Sequence, residues 1–342
     1  MGFPSNVLLG HNVIDDVVNV CRGLHFGKSG IIITGNQTYE AAGRKVEDLM
    51  SDKFDMSTVF TGDCDTASVE LACTAAKEQN AGFVLAVGGG SKIDTAKLVA
   101  KRYSLQFVSI PTSIAHDGIA SDRASFKNNG TSETVSAMPP TGIIADTGVI
   151  LDAPYRHLAS GCADVISNMS ALKDWDLARR VRGETFSTSA YTLAAYAAES
   201  IQENCSKIRP GSEEGVWTAL KPVIASGVSM CIAGSSRPTS GAEHMFSHAL
   251  DRLHPGKALH GEQCGVGCIM MMYLHGADWK KVRGALRIIG APTTASGLGL
   301  NKEDVVDALV RAKDMRDRYT ILGEKGLTPE TAEELARITE VI

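Results

Sequence analysis

Up to about residue 152, short apolar runs alternate with stretches whose apolar positions recur at helical spacing. The runs are 30–34 (GIIIT), 59–60, 83–87 (FVLAV), 105–110 (LQFVSI) and 143–145, and the amphipathic stretches include 40–50 and 67–79. A strand that stays apolar at every position is buried on both faces, as in a parallel sheet covered by helices. The pattern predicts a doubly wound parallel-sheet α/β domain over residues 1–152. Beyond Asp152 the strand-like runs nearly vanish. Helical periodicity covers 163–182, 192–204, 215–233, 242–253, 266–274, 280–289, 302–317 and 329–342. Breakers at Arg209-Pro210-Gly211, Pro255-Gly256 and Ala291-Pro292 separate several of them. An all-helical domain is therefore expected over residues 153–342, with no internal repeat.

Composition narrows the function classes. A chain of 342 residues, 44% hydrophobic and 21% charged, is long enough for two cores. A net charge of −5 and the lack of a long basic stretch argue against a nucleic-acid partner. No apolar run reaches the roughly 20 residues of a membrane span. The start, MGFPSNVLLG, has neither the charged region nor the long apolar region of a secretory signal, and Asn6 breaks the myristoylation pattern. Eight cysteines occur without a C-x-x-C pair, which predicts buried free thiols and a cytoplasmic location.

Candidate chemistry begins at the end of the run 83–87. Gly88, Gly89 and Gly90 follow it directly, and Ser91 opens a helix predicted over 92–102. Glycines let the backbone approach a ligand closely, and the free N–H groups of a helix start favour a pyrophosphate. A rival phosphate loop at Gly27-Lys28-Ser29 fails, because Arg22 stands where its glycine is required. Asn36, beyond the run 30–34, is neutral where an acid would exclude a 2′-phosphate, so both NADH and NADPH are expected to be tolerated. After the run 105–110 comes PTSIAHDGIAS. Thr112, Ser113 and Ser121 can bond a cofactor there, and Asp117 can accept from a substrate hydroxyl.

The second constellation is Asp164, His244 and His260. His244 and His248 stand four apart on a predicted helix and share a face, but Met245 occupies the position a metalloprotease would fill with glutamate. Asp164, placed early in a helix after Gly161, is flanked by apolar residues and is costly to bury unless paired or metal-bound. Two imidazoles and a carboxylate would leave a coordination position open, as catalytic zinc sites require.

The segments GGGSKIDTAK, PTSIAHDGIASDRAS, SGCADVISN, SGAEHMFSHALD and ALHGEQCGVG together resemble the archaeal sn-glycerol-1-phosphate dehydrogenase family. That family falls within the metal-dependent alcohol dehydrogenase, glycerol dehydrogenase and dehydroquinate synthase-like superfamily. The resemblance spans nearly the whole chain. It implies that Gly88, Gly89, Gly90, Ser91, Lys92, Ile93 and Asp94, with Thr112, Ser113, Ile114, Ala115 and Ser121, hold NAD(P)H. It implies that Asp117 and His248 contact substrate, and that Asp164, His244 and His260 hold one Zn²⁺ per subunit, with Asp164 also against substrate. The reaction it implies is reduction of dihydroxyacetone phosphate to sn-glycerol 1-phosphate, the starting point of archaeal ether-linked phospholipids. The metal would act as a Lewis acid on the ketone oxygen, and His248 or a water it holds would supply the proton. A homo-oligomer is expected. The alternatives are a glycerol dehydrogenase acting on unphosphorylated substrate, or a dehydroquinate synthase-like lyase. Lys173, Arg123 and backbone N–H groups are candidates for the substrate phosphate.

Overall fold

The computed structural model describes residues 2–128 and 131–342. The chain divides into two compact units. The first runs to Ile114 and resumes over Gly118–Pro154; the second comprises Ala115–Asp117 and Tyr155–Ile342.

The first unit is built on a six-stranded sheet, all parallel, in the order β1-β8-β5-β4-β2-β3. Its strands are β1 (Asn6–Gly10), β2 (Ser29–Thr34), β3 (Asp55–Phe60), β4 (Phe83–Gly88), β5 (Gln106–Pro111) and β8 (Gly142–Asp146). A separate antiparallel hairpin pairs β6 (Arg123–Asn128) with β7 (Thr131–Ser136). The helices of this unit are α1 (Val17–Gly23), α2 (Arg44–Ser51), α3 (Thr66–Glu78), α4 (Gly90–Tyr103) and α5 (Thr147–Asp152). α2 is entered through a short helical turn and a π-helical segment, Tyr39–Gly43. The central strands β2, β4 and β5 are buried nearly end to end, which is why their sequences read as unbroken apolar runs. Ile32, Phe83, Leu85, Val108, Ile110 and Ile144 form one core cluster with Val17, Val46 and Met50 of the covering helices. The chain leaves β2 toward β3 on one side and β4 toward β5 on the other. The ends of β2 and β4 therefore flank the point where strand order reverses, which is where open α/β sheets bind ligands.

The second unit is helical: α6 (Tyr155–Arg182), α7 (Thr188–Glu203), α8 (Glu213–Ala233), α9 (Ala242–Leu253), α10 (His260–Leu274), α11 (Trp279–Ile289), α12 (Lys302–Arg311) and α13 (Pro329–Ile338), with short 3-10 turns between some of them. Among the described residues α8 alone is long and apolar enough to cross a membrane, but it is mostly buried, as expected of a core helix apolar all round. All eight cysteines are buried and free.

Several elements depart from the sequence pattern. β1 went unrecognised because it is an edge strand, only partly buried. The hairpin β6–β7 is mostly polar and offered no alternation to read. α6 begins at Tyr155, eight residues before the predicted start, so Asp164 lies well inside the helix rather than early in it. α10 begins at His260, not Val266, which makes that histidine the first residue of the helix. α12 ends at Arg311 and gives way to a 3-10 turn, Ala312–Met315.

Candidate active site

In the first unit, Gly88 closes β4, Gly89 is the N-cap and Gly90 the first residue of α4. The first-turn N–H groups of a helix have no intrahelical acceptor, so the turn presents donors for an anion. Close packing explains the glycine at 88: a Cβ there would lie 2.5 Å from Lys92 Cγ. The Lys92 stem also crosses Gly35 beyond β2, and its ammonium reaches the Gly62 carbonyl after β3. Thr112 and Ser113 stand just beyond β5, nearly buried, with Ile114 fully packed.

Asp94 and Ser121 are engaged by a buried cation. Lys97, 0% exposed, donates to Asp94 Oδ1 at 2.8 Å, the Gly118 carbonyl at 2.6 Å and the Arg123 carbonyl at 2.5 Å, and its ammonium lies 3.3 Å from Ser121 Oγ. Asp94 Oδ2 accepts the Ser125 N–H at 2.9 Å. Both carboxylate oxygens thus pin the α4 start to the following loop and hairpin. Lys97→Met would leave the Asp94 carboxylate buried without its cation, a loss of about 3 kcal/mol. Urea unfolding of the variant is expected to show it, and an unchanged midpoint would mean that the pair contributes no net stability.

In the second unit three side chains converge. Asp164 Oδ1 lies 3.7 Å from His244 Nε2 and 3.8 Å from His260 Nε2. It is buried without a hydrogen-bond partner, while Oδ2 accepts the Asp117 N–H at 3.0 Å. The far side of each imidazole is fixed. His244 Nδ1 meets Glu243 Oε1 at 2.9 Å, and a carboxylate can only accept, so that nitrogen carries the proton. His260 Nδ1 meets Ser247 Oγ at 3.0 Å, and Ser247 gives its own proton to Gln263 Oε1 at 2.6 Å. Gln263 is oriented by donating Nε2 to Asp251 and the Ala258 carbonyl. Ser247 therefore accepts from His260 Nδ1–H. Both Nε2 lone pairs and an orphaned carboxylate oxygen consequently face one point. Such a set is mutually repulsive unless a cation fills it, and ligand atoms around a zinc-sized ion lie roughly 3.3–3.6 Å apart. The donor set fits a divalent metal.

Burial and the neighbouring His244, His116 and Arg316 push His260 well below its ordinary range, toward the neutral form that binds metal. Burial alone would raise Glu243, but its bonds from His244, Gly241 and Ser170 outweigh that and hold it low. Cys264 Sγ comes within 3.6 Å of His260 Nε2 and joins the group of possible ligands.

Residues 8–154 match the family model of the iron-containing alcohol dehydrogenases. Over its whole length the chain is similar to the glycerol-1-phosphate dehydrogenase (NAD(P)+) of Methanosphaerula palustris, at 48% identity over 99% of this chain and 94% of that protein. It is equally similar to the enzyme of that name from Methanosarcina mazei, at 48% identity over 100% of this chain and 96% of that protein. The chain belongs to the glycerol-1-phosphate dehydrogenase family. Its fold is shared with a probable glycerol dehydrogenase from Sinorhizobium meliloti, with a TM-score of 0.81 covering 100% of this chain and 99% of that one at 20% identity.

In this member of the family, the remaining predicted residues gather around the same group. Asp117 begins a 3-10 turn, and its Oδ2 accepts from Ser226 Oγ at 2.8 Å. Ala115 is fixed through its carbonyl, which accepts from Ser160 Oγ at 3.0 Å. His248 Nε2 accepts from Arg316 Nη2 at 2.6 Å, so Nδ1 carries the proton. That Nδ1 is buried and has no hydrogen-bond partner among the described residues. Burial first, then Arg316, His260, His244 and Arg318, push His248 well below its ordinary range. It presents a neutral imidazole with its N–H at Nδ1. Lys173 is exposed, and Arg123 lies beside Asp122 at 3.2 Å. Sequence reading missed Lys97, Glu243, Ser247, Gln263, Arg316 and Arg318. The i, i+3 spacing of Asp94 and Lys97 was a usable signal; nothing local marked the two arginines.

Proposed function

We propose that this chain reduces dihydroxyacetone phosphate to sn-glycerol 1-phosphate with NADH or NADPH and one zinc ion per subunit. The product would enter ether-linked phospholipid synthesis, in a cytoplasmic homo-oligomer. The observation that carries the reading is the meeting of Asp164 Oδ1, His244 Nε2 and His260 Nε2 in a chain nearly half identical to enzymes of that name.

A divalent ion held by these three side chains would supply Lewis-acid chemistry to an oxygen substituent. The chain's own groups do the rest. Glu243 and Ser247 fix the imidazole tautomers and orient the rings. His248 offers Nδ1–H to a substrate oxygen, and Asp117 offers a carboxylate to a hydroxyl proton. Held by two directional groups, a three-carbon ketone would keep a single orientation, with its two prochiral faces distinguished. The glycine turn of α4, with Thr112 and Ser113, would take the dinucleotide phosphates.

The test is NADH oxidation by metal-loaded protein with dihydroxyacetone phosphate and with dihydroxyacetone, followed by chiral analysis of the product. The phosphorylated ketone should be favoured by about a hundredfold in kcat/KM. Equal rates would point to a glycerol dehydrogenase instead. Turnover without net NADH consumption would point to the lyase.

A further inference from the structure

Two cations stand next to His248 without a role so far. The 3-10 turn Ala312–Met315 ends at Arg316, whose backbone is extended at φ −150° and ψ 145°. Arg316 and Arg318 both turn toward Ser240, the residue ahead of the α9 N-cap. Arg316 Nη1 lies 3.3 Å from Ser240 Oγ, and Arg318 donates to the Ser240 carbonyl and, at 3.0 Å, to Ser236 Oγ. Both arginines are partly buried.

The carboxylates nearby are already engaged. Glu184 takes the Arg237 guanidinium through two bonds. Glu243 is held by Gly241, His244 and Ser170. Among the described residues, Arg318 has no carboxylate within ion-pair distance and meets only neutral oxygens. Burial, then the Arg316 and Arg237 cations, push its pKa down, outweighing the opposing pull of Glu184 and Glu243. A guanidinium removed from water in this way is costly unless an anion completes it. Arg316 also touches His248, whose ring centroid is 6.2 Å from that of His260. The cationic pair is therefore one side chain outward from the metal-binding group, where the phosphate of a short ketone phosphate would extend.

We propose that Arg316 and Arg318 form the subsite for the phosphate monoester of the substrate and set its preference over the unphosphorylated ketone. The planar forks suit the dianion's oxygens, and Arg316 couples phosphate binding to the orientation of His248. This inference rests on the reading that the substrate carries a phosphate.

The experiment measures kcat/KM on metal-loaded enzyme for dihydroxyacetone phosphate and dihydroxyacetone, and inhibition by inorganic phosphate, in wild type, R316Q, R318Q and R318K. The ratio of the two kcat/KM values should fall about a hundredfold in R318Q, and inhibition by phosphate should weaken at least tenfold. R318K should recover part of both, since it restores charge but not the fork. If R318Q does not retain metal, R316Q and R318K carry the comparison. Glutamine variants that keep the wild-type ratio and phosphate inhibition overturn the subsite. A wild-type enzyme with no preference for the phosphorylated ketone sinks the proposed reaction instead. In that case, phosphate competition relieved in R318Q would still uphold the subsite, and its absence would dismiss it.

Discussion

Asp164→Asn will leave the protein folded, nearly free of metal, and slower on the order of a thousandfold, or roughly 4 kcal/mol of transition-state stabilisation. The argument starts from the unequal duties of the two carboxylate oxygens. Oδ2 accepts the Asp117 N–H, and an asparagine carbonyl can do the same. Oδ1 is buried, accepts nothing, and faces the lone pairs of His244 Nε2 and His260 Nε2. An amide N–H there would meet an imidazole nitrogen as a donor, so the metal-free variant should melt no lower than metal-free wild type. Metal binding tells the two apart. A ligand present at a hundred times its Kd stabilises the folded state by about 2.7 kcal/mol, so added zinc should raise the wild-type Tm and leave the variant unmoved. Elemental analysis beside the two melting curves decides the matter. A variant that retains one metal per chain would show that this carboxylate is no ligand and would undo the site described above.

The legible and illegible parts of the molecule divide along physical lines. The strands β2, β4 and β5 were readable because burial on both faces demands unbroken apolar sequence, and the glycine turn because a backbone that must pass so close to Lys92 at Gly88 leaves a local mark. Asp164, His244 and His260 were found from residue type, apolar surroundings and the family resemblance. What the sequence hid was the second layer of contacts. Ser247, Gln263 and Glu243 fix two tautomers through a relay across α9 and α10, and no spacing rule along one helix reveals a relay between two. Arg316 was hidden for a related reason: predicting a helix through residue 317 gave it a helical direction, whereas the chain leaves the 3-10 turn there with an extended backbone, and Arg318 lay just past the predicted helix with no local pattern to mark it. Asp94 shows the converse case. Its position in the glycine motif suggested cofactor binding, and the buried Lys97 beside it is what engages the carboxylate here.

The second large effect is expected at Gly261, beside His260 at the start of α10. A Cβ at this position would sit 2.0 Å from the Ser160 carbonyl oxygen and 2.8 Å from its carbonyl carbon, both backbone atoms of α6. No rotamer change relieves a clash with backbone, so Gly261→Ala must push the two helices apart. Asp164 lies one turn beyond Ser160 on α6, and His260 is the neighbour of Gly261 on α10, so separation pulls the proposed metal ligands away from each other. The expected cost is about 5 kcal/mol, above the usual range for overpacking because the obstruction is main chain. Loss of metal should accompany it. Gly284 provides the control. It lies inside α11, and a Cβ there meets nothing within 4 Å, so Gly284→Ala should stabilise by up to about 1 kcal/mol through helix propensity alone. Denaturant titrations and metal content of the two variants side by side test the packing argument. If Gly261→Ala unfolded at the wild-type midpoint with its metal intact, the close approach of α6 and α10 could not be what brings Asp164 to the histidines.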